Sequence, residues 1–388
     1  MQQRGFAIMI LTRRHFIAGS SSLMLAGNWA SDVVANQRAK KNLIVIMLRG
    51  GMDGLTAVPY IGNNQLVDLR PSITVKRAQK IDGSFALHPA LRQFKSQWDE
   101  GTAAILHASS IPYTGRSHFE GQNLMETGGL TPYNDYTGWL GRGMEAAGMK
   151  ALSVSLPMPL LLRGNVDNDN FYPSKRPMPS ADVMALLAQS YHGEDGLMGA
   201  MAKVRARPVS MTTGGGDNTD IESLAKTAAK QIRQDGGPSV AVFDLGGFDT
   251  HSFQGGDNGQ HADELKKYDS AIGSLKRHLG TAYSDTIIVT LTEFGRTVAQ
   301  NGGSGTEHGY GTALLLAGGL LPSSRILGNW PGLKKEALYE GRDLAASIDV
   351  RAAYASVMGY VFDRDHQSMC RDAFYGANLP NLTKAIFG

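Results

Sequence analysis

The chain has 388 residues, 42% of them hydrophobic, so it can bury a sizeable core as one large α/β domain or two smaller ones. Its 38 basic and 35 acidic residues leave a formal net charge of +3, which gives no reason to expect nucleic acid as a partner, because phosphate binding needs a concentrated basic face. The single cysteine, Cys370, excludes an intramolecular disulfide and a cysteine-ligated zinc site, so stability must come from the core, from metal, or from both.

The first segment reads as an address. Thr12-Arg13-Arg14-His15-Phe16-Ile17 precedes Ala18 to Ala30, a mildly apolar stretch broken by Gly19, Ser20, Ser21, Ser22 and Gly27. A paired arginine, an aromatic residue and a weak apolar region make the pattern of a twin-arginine export signal. The competing reading is a membrane anchor or a core helix, but an anchor needs roughly 20 apolar residues. Val33-Val34-Ala35 supplies the small residues a signal peptidase reads, so cleavage is expected after Ala35. The mature chain, 36–388, is then nearly neutral, has no stable membrane span and works in the periplasm or outside the cell. Twin-arginine export carries folded proteins, which makes the translocon an expected partner and lets metal be taken up before export.

Asn42 to Leu48 is a continuous apolar run that opens into Arg49-Gly50-Gly51, the pattern of a buried parallel strand ending in a glycine-rich turn. Ala103–His107, Ala151–Leu156, Val240–Leu245, Ile287–Leu291 and Ala313–Ala317 repeat it. Between them, His261 to Leu279 carries Ala262, Leu265, Tyr268, Ile272, Leu275 and Leu279 on one helical stripe, and Ile221 to Ile232 and Val350 to Val361 read similarly. Strands alternating with helices predict an α/β fold whose mainly parallel sheet is covered on both faces. The polar, helix-rich segment 165–237, with its Thr212–Asn218 stretch, reads as a helical insertion capping the site.

Four polar clusters follow the ends of predicted strands, the edge where open parallel sheets bind ligands. Arg49-Gly50-Gly51-Met52-Asp53-Gly54 holds Asp53, either a turn residue or a ligand. Gly115-Arg116-Ser117-His118-Phe119-Glu120-Gly121 sets a hydroxyl beside an imidazole and a guanidinium, suited to a nucleophile at an anion. The same residues read as a helix start, with Ser117 as N-cap and Glu120 three positions on. Asp249-Thr250-His251 offers a carboxylate and an imidazole to one cation, a donor pair that suits zinc, iron or manganese. Glu293 and Arg296 follow the next strand, and His308 precedes the one after. Tyr113, Phe119, Trp139 and Tyr310 lie near these clusters, as pocket walls or as core.

The pieces RGGMDG, SHFEGQ, GGFDTH, TEFGR and GTEHGYG, in this order behind a twin-arginine signal, closely resemble the DUF1501 family. That family comprises exported bacterial proteins grouped with the alkaline phosphatase and sulfatase superfamily, and the resemblance runs from about Asn42 to the C-terminus. It implies an alkaline-phosphatase-like fold over 36–388, with Asp53, Asp249, His251, Glu293 and His308 as metal ligands and Ser117 as nucleophile, flanked by Arg116 and His118. It also implies one or two divalent ions, with zinc, manganese, calcium and iron left open. The sequence departs from the enzyme pattern at Glu293-Phe294, where an Asp-His pair is usual, and between Asp249 and His251, where three residues usually intervene. The implied centre is therefore a single ion at Asp249, His251 and His308, with His118 a candidate for the missing nitrogen. The expected function is hydrolysis of a phosphate or sulfate ester, in a small anionic substrate or a polymer, with Arg116 or Arg296 clamping the anion. The alternative is a non-catalytic metal-binding relative that binds a glycan, a surface polymer or a partner protein.

Overall fold

All seven residues of Asn42–Leu48 (β1) are buried, as a strand covered on both faces requires. Its side chains alternate between two cores. Leu43, Val45 and Met47 enter one, and Ile44, Ile46 and Leu48 enter the other. The computed structural model describes residues 40–154, 158–166, 168–170, 180–190, 198–199 and 220–388. The expected export signal, the Thr212–Asn218 stretch and much of 165–237 lie outside them.

The other strands of the sheet are Ala103–Ser110 (β2), Ala151–Ser153 (β3), Asn168–Asn170 (β4), Val240–Leu245 (β5), Thr286–Leu291 (β6), Thr312–Ala317 (β7), Arg325–Leu327 (β8) and Ile348–Asp349 (β9). They form a nine-stranded sheet in the order β8-β2-β7-β6-β1-β5-β3-β4, with β9 pairing beside the end of β2. Leu43 stands opposite Val240 on one side of β1 and opposite Ile287 on the other, both pairings parallel. Among the described residues of this sheet, only β7 runs antiparallel, to β2 and to β6. No helix crosses over between β6 and β7, so the chain returns at the edge it left. That reversal brings the start of β7 to the carboxyl edge of its parallel neighbours.

One face of the sheet is covered by His118–Thr127 (α3), Trp139–Ala147 (α4), Val350–Val361 (α7) and His366–Ala373 (α8), which share the core of Leu43, Val45 and Met47. The other is covered by Arg92–Asp99 (α2), Ile221–Ile232 (α5) and Gln260–Leu279 (α6). The expected mainly parallel α/β sheet with helices on both faces is therefore present. Helix α5 buries Leu224, Ala225, Ala228, Ala229 and Ile232 in the second core, so this end of 165–237 belongs to the α/β body. Strand β4 likewise extends the sheet. Among the described residues no helix is long and apolar enough to cross a membrane.

Candidate metal centre

The loops after β2, β5 and β6, with the segment leading into β7, carry the chemistry. Close packing there depends on Gly50. A Cβ at this position would lie 2.5 Å from the Asp249 nitrogen, and its φ of +114° belongs to the region glycine alone enters freely.

His118, Asp249 and His308 each offer a ligand atom within 4.8 Å of the others, a group able to hold a metal ion. His251 joins them, with its Nε2 3.0 Å from Asp249 Oδ1 and 2.9 Å from His308 Nε2. The Nε2 atoms of His118 and His308 each lie 3.2 Å from the same Asp249 oxygen. Each imidazole is held from behind through Nδ1. His118 Nδ1 lies 2.8 Å from Glu293 Oε1, His251 Nδ1 2.8 Å from Glu307 Oε2, and His308 Nδ1 2.7 Å from the Arg116 carbonyl.

These contacts fix the tautomers. Burial would raise the Glu293 carboxyl pKa, but hydrogen bonds from His118 and Gln122 outweigh it and hold it below the usual value. A hydrogen bond from Asn301, with help from His251, does the same for Glu307. Carboxylates and a carbonyl only accept, so an imidazole that donates from Nδ1 to them would present an Nε2 lone pair to a metal, whereas without one the Nε2 atoms of His251 and His308 hydrogen-bond each other. Three Nε2 atoms converge on one Asp249 oxygen. His118 Nε2 is buried and makes no hydrogen bond, although Asp249 is near, because the approach is off the hydrogen-bonding direction. Metal–nitrogen bonds of about 2.0–2.1 Å in a tetrahedron separate the donors by about 3.3 Å. The spacings of 2.9 to 3.2 Å from Asp249 to the imidazoles and between His251 and His308 fit such edges, and His118, Asp249 and His308 are the trio that all lie within 4.8 Å of one another. The residues present therefore fit a divalent metal.

Other partners set the charge. Burial would raise the Asp249 carboxyl, but the Arg296 guanidinium, 2.6 Å away, holds it down to about 2. The Glu293 contact raises the His118 pKa, whereas burial lowers that of His308. Asp249 is 46% exposed, so the centre opens to solvent.

Several expected roles change. Asp53 is not with the cluster. Its fully buried carboxylate takes two hydrogen bonds from Arg70, at 2.6 and 3.2 Å, one from Thr56 at 2.6 Å and one from Gln254 at 2.7 Å, and it caps the short helix Gly54–Ala57 (α1). Those bonds saturate it, so the turn reading holds and the ligand reading does not. Glu293 stands behind His118 as an acceptor for Gly50, Gln122 and the imidazole, not in the ligand ring. Neither arginine is free to clamp an anion. Arg116 pairs with Glu340 and Asp343, while Arg296 is buried among the carbonyls of Gly50, Gly51, Phe248 and Thr306.

Ser117 is the N-cap residue of α3, but its side chain makes no capping bond. The Tyr113 hydroxyl intervenes, receiving the Ser117 N–H at 3.0 Å and donating to Glu120 at 2.7 Å. The Ser117 hydroxyl also lies at the Tyr113 phenol, and in the chain Ser117 stands between Arg116, whose carbonyl holds His308, and His118. Phe294, where an imidazole was expected, packs its ring against His118 and His308 at 4.9 and 4.7 Å. Of the nearby aromatics, Tyr113 and Trp139 are core, and Phe119 is 81% exposed. Glu307, Gln122, Arg70 and Gln254 were not singled out from sequence. Glu307 and Gln122 lay inside the quoted motifs, whereas nothing in the sequence marked Arg70.

The structure is similar to "Crystal structure of Ps i-CgsB in complex with k-i-k-neocarrahexaose", with 12% identity, 89% of this chain and 76% of that one covered, and a TM-score of 0.43. It is also similar to the C-terminal periplasmic domain of EcEptC from Escherichia coli in complex with Zn, with 12% identity, coverage of 73% and 74%, and a TM-score of 0.38. A third similar structure is the PsFucS1 sulfatase from Pseudoalteromonas sp., with 14% identity, coverage of 76% and 66%, and a TM-score of 0.35. No curated protein matches the sequence. The model of one family, described as "Protein of unknown function (DUF1501)", matches residues 172–369, which include Asp249, His251, Glu293, Glu307 and His308. That match spans just over half of the chain, and the chain belongs to the DUF1501 family.

Proposed function

We propose that the protein is an exported hydrolase that holds one divalent metal ion on His118, His251, His308 and Asp249 and cleaves a phosphate or sulfate ester with the Ser117 hydroxyl. The observation that carries the metal is the convergence of three anchored imidazole Nε2 atoms on Asp249 Oδ1. Three nitrogens and one oxygen suit zinc, iron or manganese better than calcium, which takes oxygen donors. A bound divalent ion would supply Lewis-acid stabilisation of a developing oxyanion and ease deprotonation of a hydroxyl.

The chain's own residues do the rest. Glu293, Glu307 and the Arg116 carbonyl lock the imidazole tautomers. Ser117 presents its hydroxyl at the N-terminus of α3, whose free N–H groups favour an anionic group in place of the committed arginines. The Arg13-Arg14 signal supports export through the twin-arginine pathway to the periplasm or beyond.

A second reading is favoured by one observation. His251 lies 2.9 Å from His308 and 3.0 Å from Asp249, and as a fourth donor it would complete a tetrahedral site with no open position, as in structural zinc centres. A non-catalytic metal-binding protein follows from that.

Elemental analysis of purified protein separates the two. Wild type is expected to carry one ion per chain, and Asp249→Asn to lose most of it. Ser117→Ala is expected to keep the ion and lose hydrolysis of aryl phosphate and aryl sulfate esters. Hydrolysis unchanged in Ser117→Ala refutes the nucleophile. An inert, metal-loaded wild type supports the structural reading.

A further inference from the structure

Helix α3 begins at His118 and ends at its C-cap Gly128, about 15 Å away along ten residues. Beyond Gly128 opens a cleft of about 330 Å³, lined among others by Thr131, Asn134, Asp135, Arg351 and Tyr375. Arg351 is the second residue of α7, which directly follows β9, and β9 pairs with the carboxyl end of β2. The cleft is therefore on the same edge of the sheet as the metal centre.

One face of the Tyr375 ring rests on the Arg142 guanidinium, 4.1 Å from the ring centroid. The phenol hydroxyl lies at Asp135 and Thr137. Even so, the residue is 51% exposed, so the ring is fixed and its other face open. Tyr133, 56% exposed with its backbone tied to Asn123 at 2.8 Å, directly precedes Asn134 of the cleft lining. Both tyrosines adopt φ near +60°, at +56° and +61°, a costly conformation for a bulky residue that a packing role does not require of an exposed ring.

We infer that this cleft binds a neutral saccharide, which stacks on the open face of Tyr375 and hydrogen-bonds to Asn134, Asp135 and Thr131. An apolar ring face beside clustered amide, carboxylate and hydroxyl groups matches a sugar, which presents C–H groups on its faces and hydroxyls on its rim. A nucleotide or phosphorylated ligand fits less well, because both guanidiniums at the cleft are engaged. Arg142 donates to the carbonyls of Thr127, Thr137 and Ala373, and Arg351 binds Asp349 and the Gly128 carbonyl. The assignment does not depend on the metal centre.

The test is calorimetric titration of the purified full chain, with and without chelator, using cellohexaose, xylohexaose, maltohexaose and chitohexaose. At least one is expected to bind equally in both conditions. Tyr375→Ala is expected to weaken it about fivefold to tenfold, whereas Tyr375→Phe, which keeps the stacked ring, binds as wild type does. Unchanged circular dichroism and metal content show that the variants fold. The inference is overturned if none of the four binds, if Tyr375→Ala binds as wild type does, or if adenosine monophosphate binds the cleft in their place. Binding abolished by chelator overturns it too, by assigning the saccharide to the metal centre.

Discussion

Glu293→Gln isolates the anchoring of the metal site from its ligands. Glu293 Oε1 accepts from Gly50 N at 2.9 Å, Gln122 Nε2 at 3.0 Å and His118 Nδ1 at 2.8 Å, with Thr292 Oγ1 3.3 Å from the other oxygen. An alanine here would orphan three donors in a dry site, at about 1–3 kcal/mol each, and so confound binding with unfolding. Glutamine keeps an acceptor oxygen for those donors, and the Thr292 hydroxyl can turn to receive its amide. What is lost is the negative charge that fixes the His118 tautomer and raises the basicity of Nε2. Loss of such a partner costs about 10–100-fold in metal affinity, or about 1.4–2.7 kcal/mol. Competition with a chromophoric chelator near neutral pH, using zinc, measures it. A folded Glu293→Gln protein that binds zinc within a factor of about two of wild type would refute the anchoring role, since the expected loss is at least about tenfold.

Asp53→Asn should behave oppositely. It leaves the Arg70 guanidinium buried without a countercharge, so denaturant melts should show a loss of about 3–5 kcal/mol while metal content stays at one ion. Loss of the ion with stability intact would restore Asp53 as a ligand. Chelation should lower the melting temperature of wild type, because an ion at about 1,000 times its dissociation constant adds about 4 kcal/mol. The Asp249→Asn protein should melt at the same temperature with or without chelator. In metal-free protein, Asp249 lies near 2 folded against 3.8 unfolded, so its stabilisation is present above 3.8 and is lost as pH falls towards 2. His118 runs the other way. Its raised pKa stabilises the metal-free fold below 6.5 and the gain disappears as pH rises through the raised value. Melting temperature against pH, with and without zinc, should show this alkaline decline only in the metal-free protein; a decline in both would place its origin elsewhere.

The strands and long helices were legible because burial on both faces leaves continuous apolar runs. Asn42–Leu48, Val240–Leu245, Ile221–Ile232 and Val350–Val361 match their expected ends residue for residue. The reversal of β7 was not legible, since an apolar run carries no direction. The short edge strands β8 and β9 are too brief for any period to show. At the site, position along the sheet edge was readable but partnership was not. His118, His251 and His308 face inward because acceptors far away in the chain hold each Nδ1. Arg116 and Arg296, which look like anion clamps beside a nucleophile, are neutralised by Glu340 and Asp343 and by Asp249.

Asp53 shows what that difference does to the metal count. A carboxylate between glycines at a strand end serves a cation equally well whether the cation is a metal or a guanidinium, and the sequence does not choose between them. Arg70 fills that place with a fixed positive charge, leaving a neutral buried pair. Around the imidazoles three carboxylates remain, Asp249, Glu293 and Glu307, against one guanidinium, Arg296. With the imidazoles neutral, the cluster falls two charges short of balance, and His118 accordingly holds a proton more tightly than a free imidazole. One divalent ion makes up the deficit. A second would overshoot that balance by two in a half-buried site, and the electrostatics therefore favour a mononuclear centre.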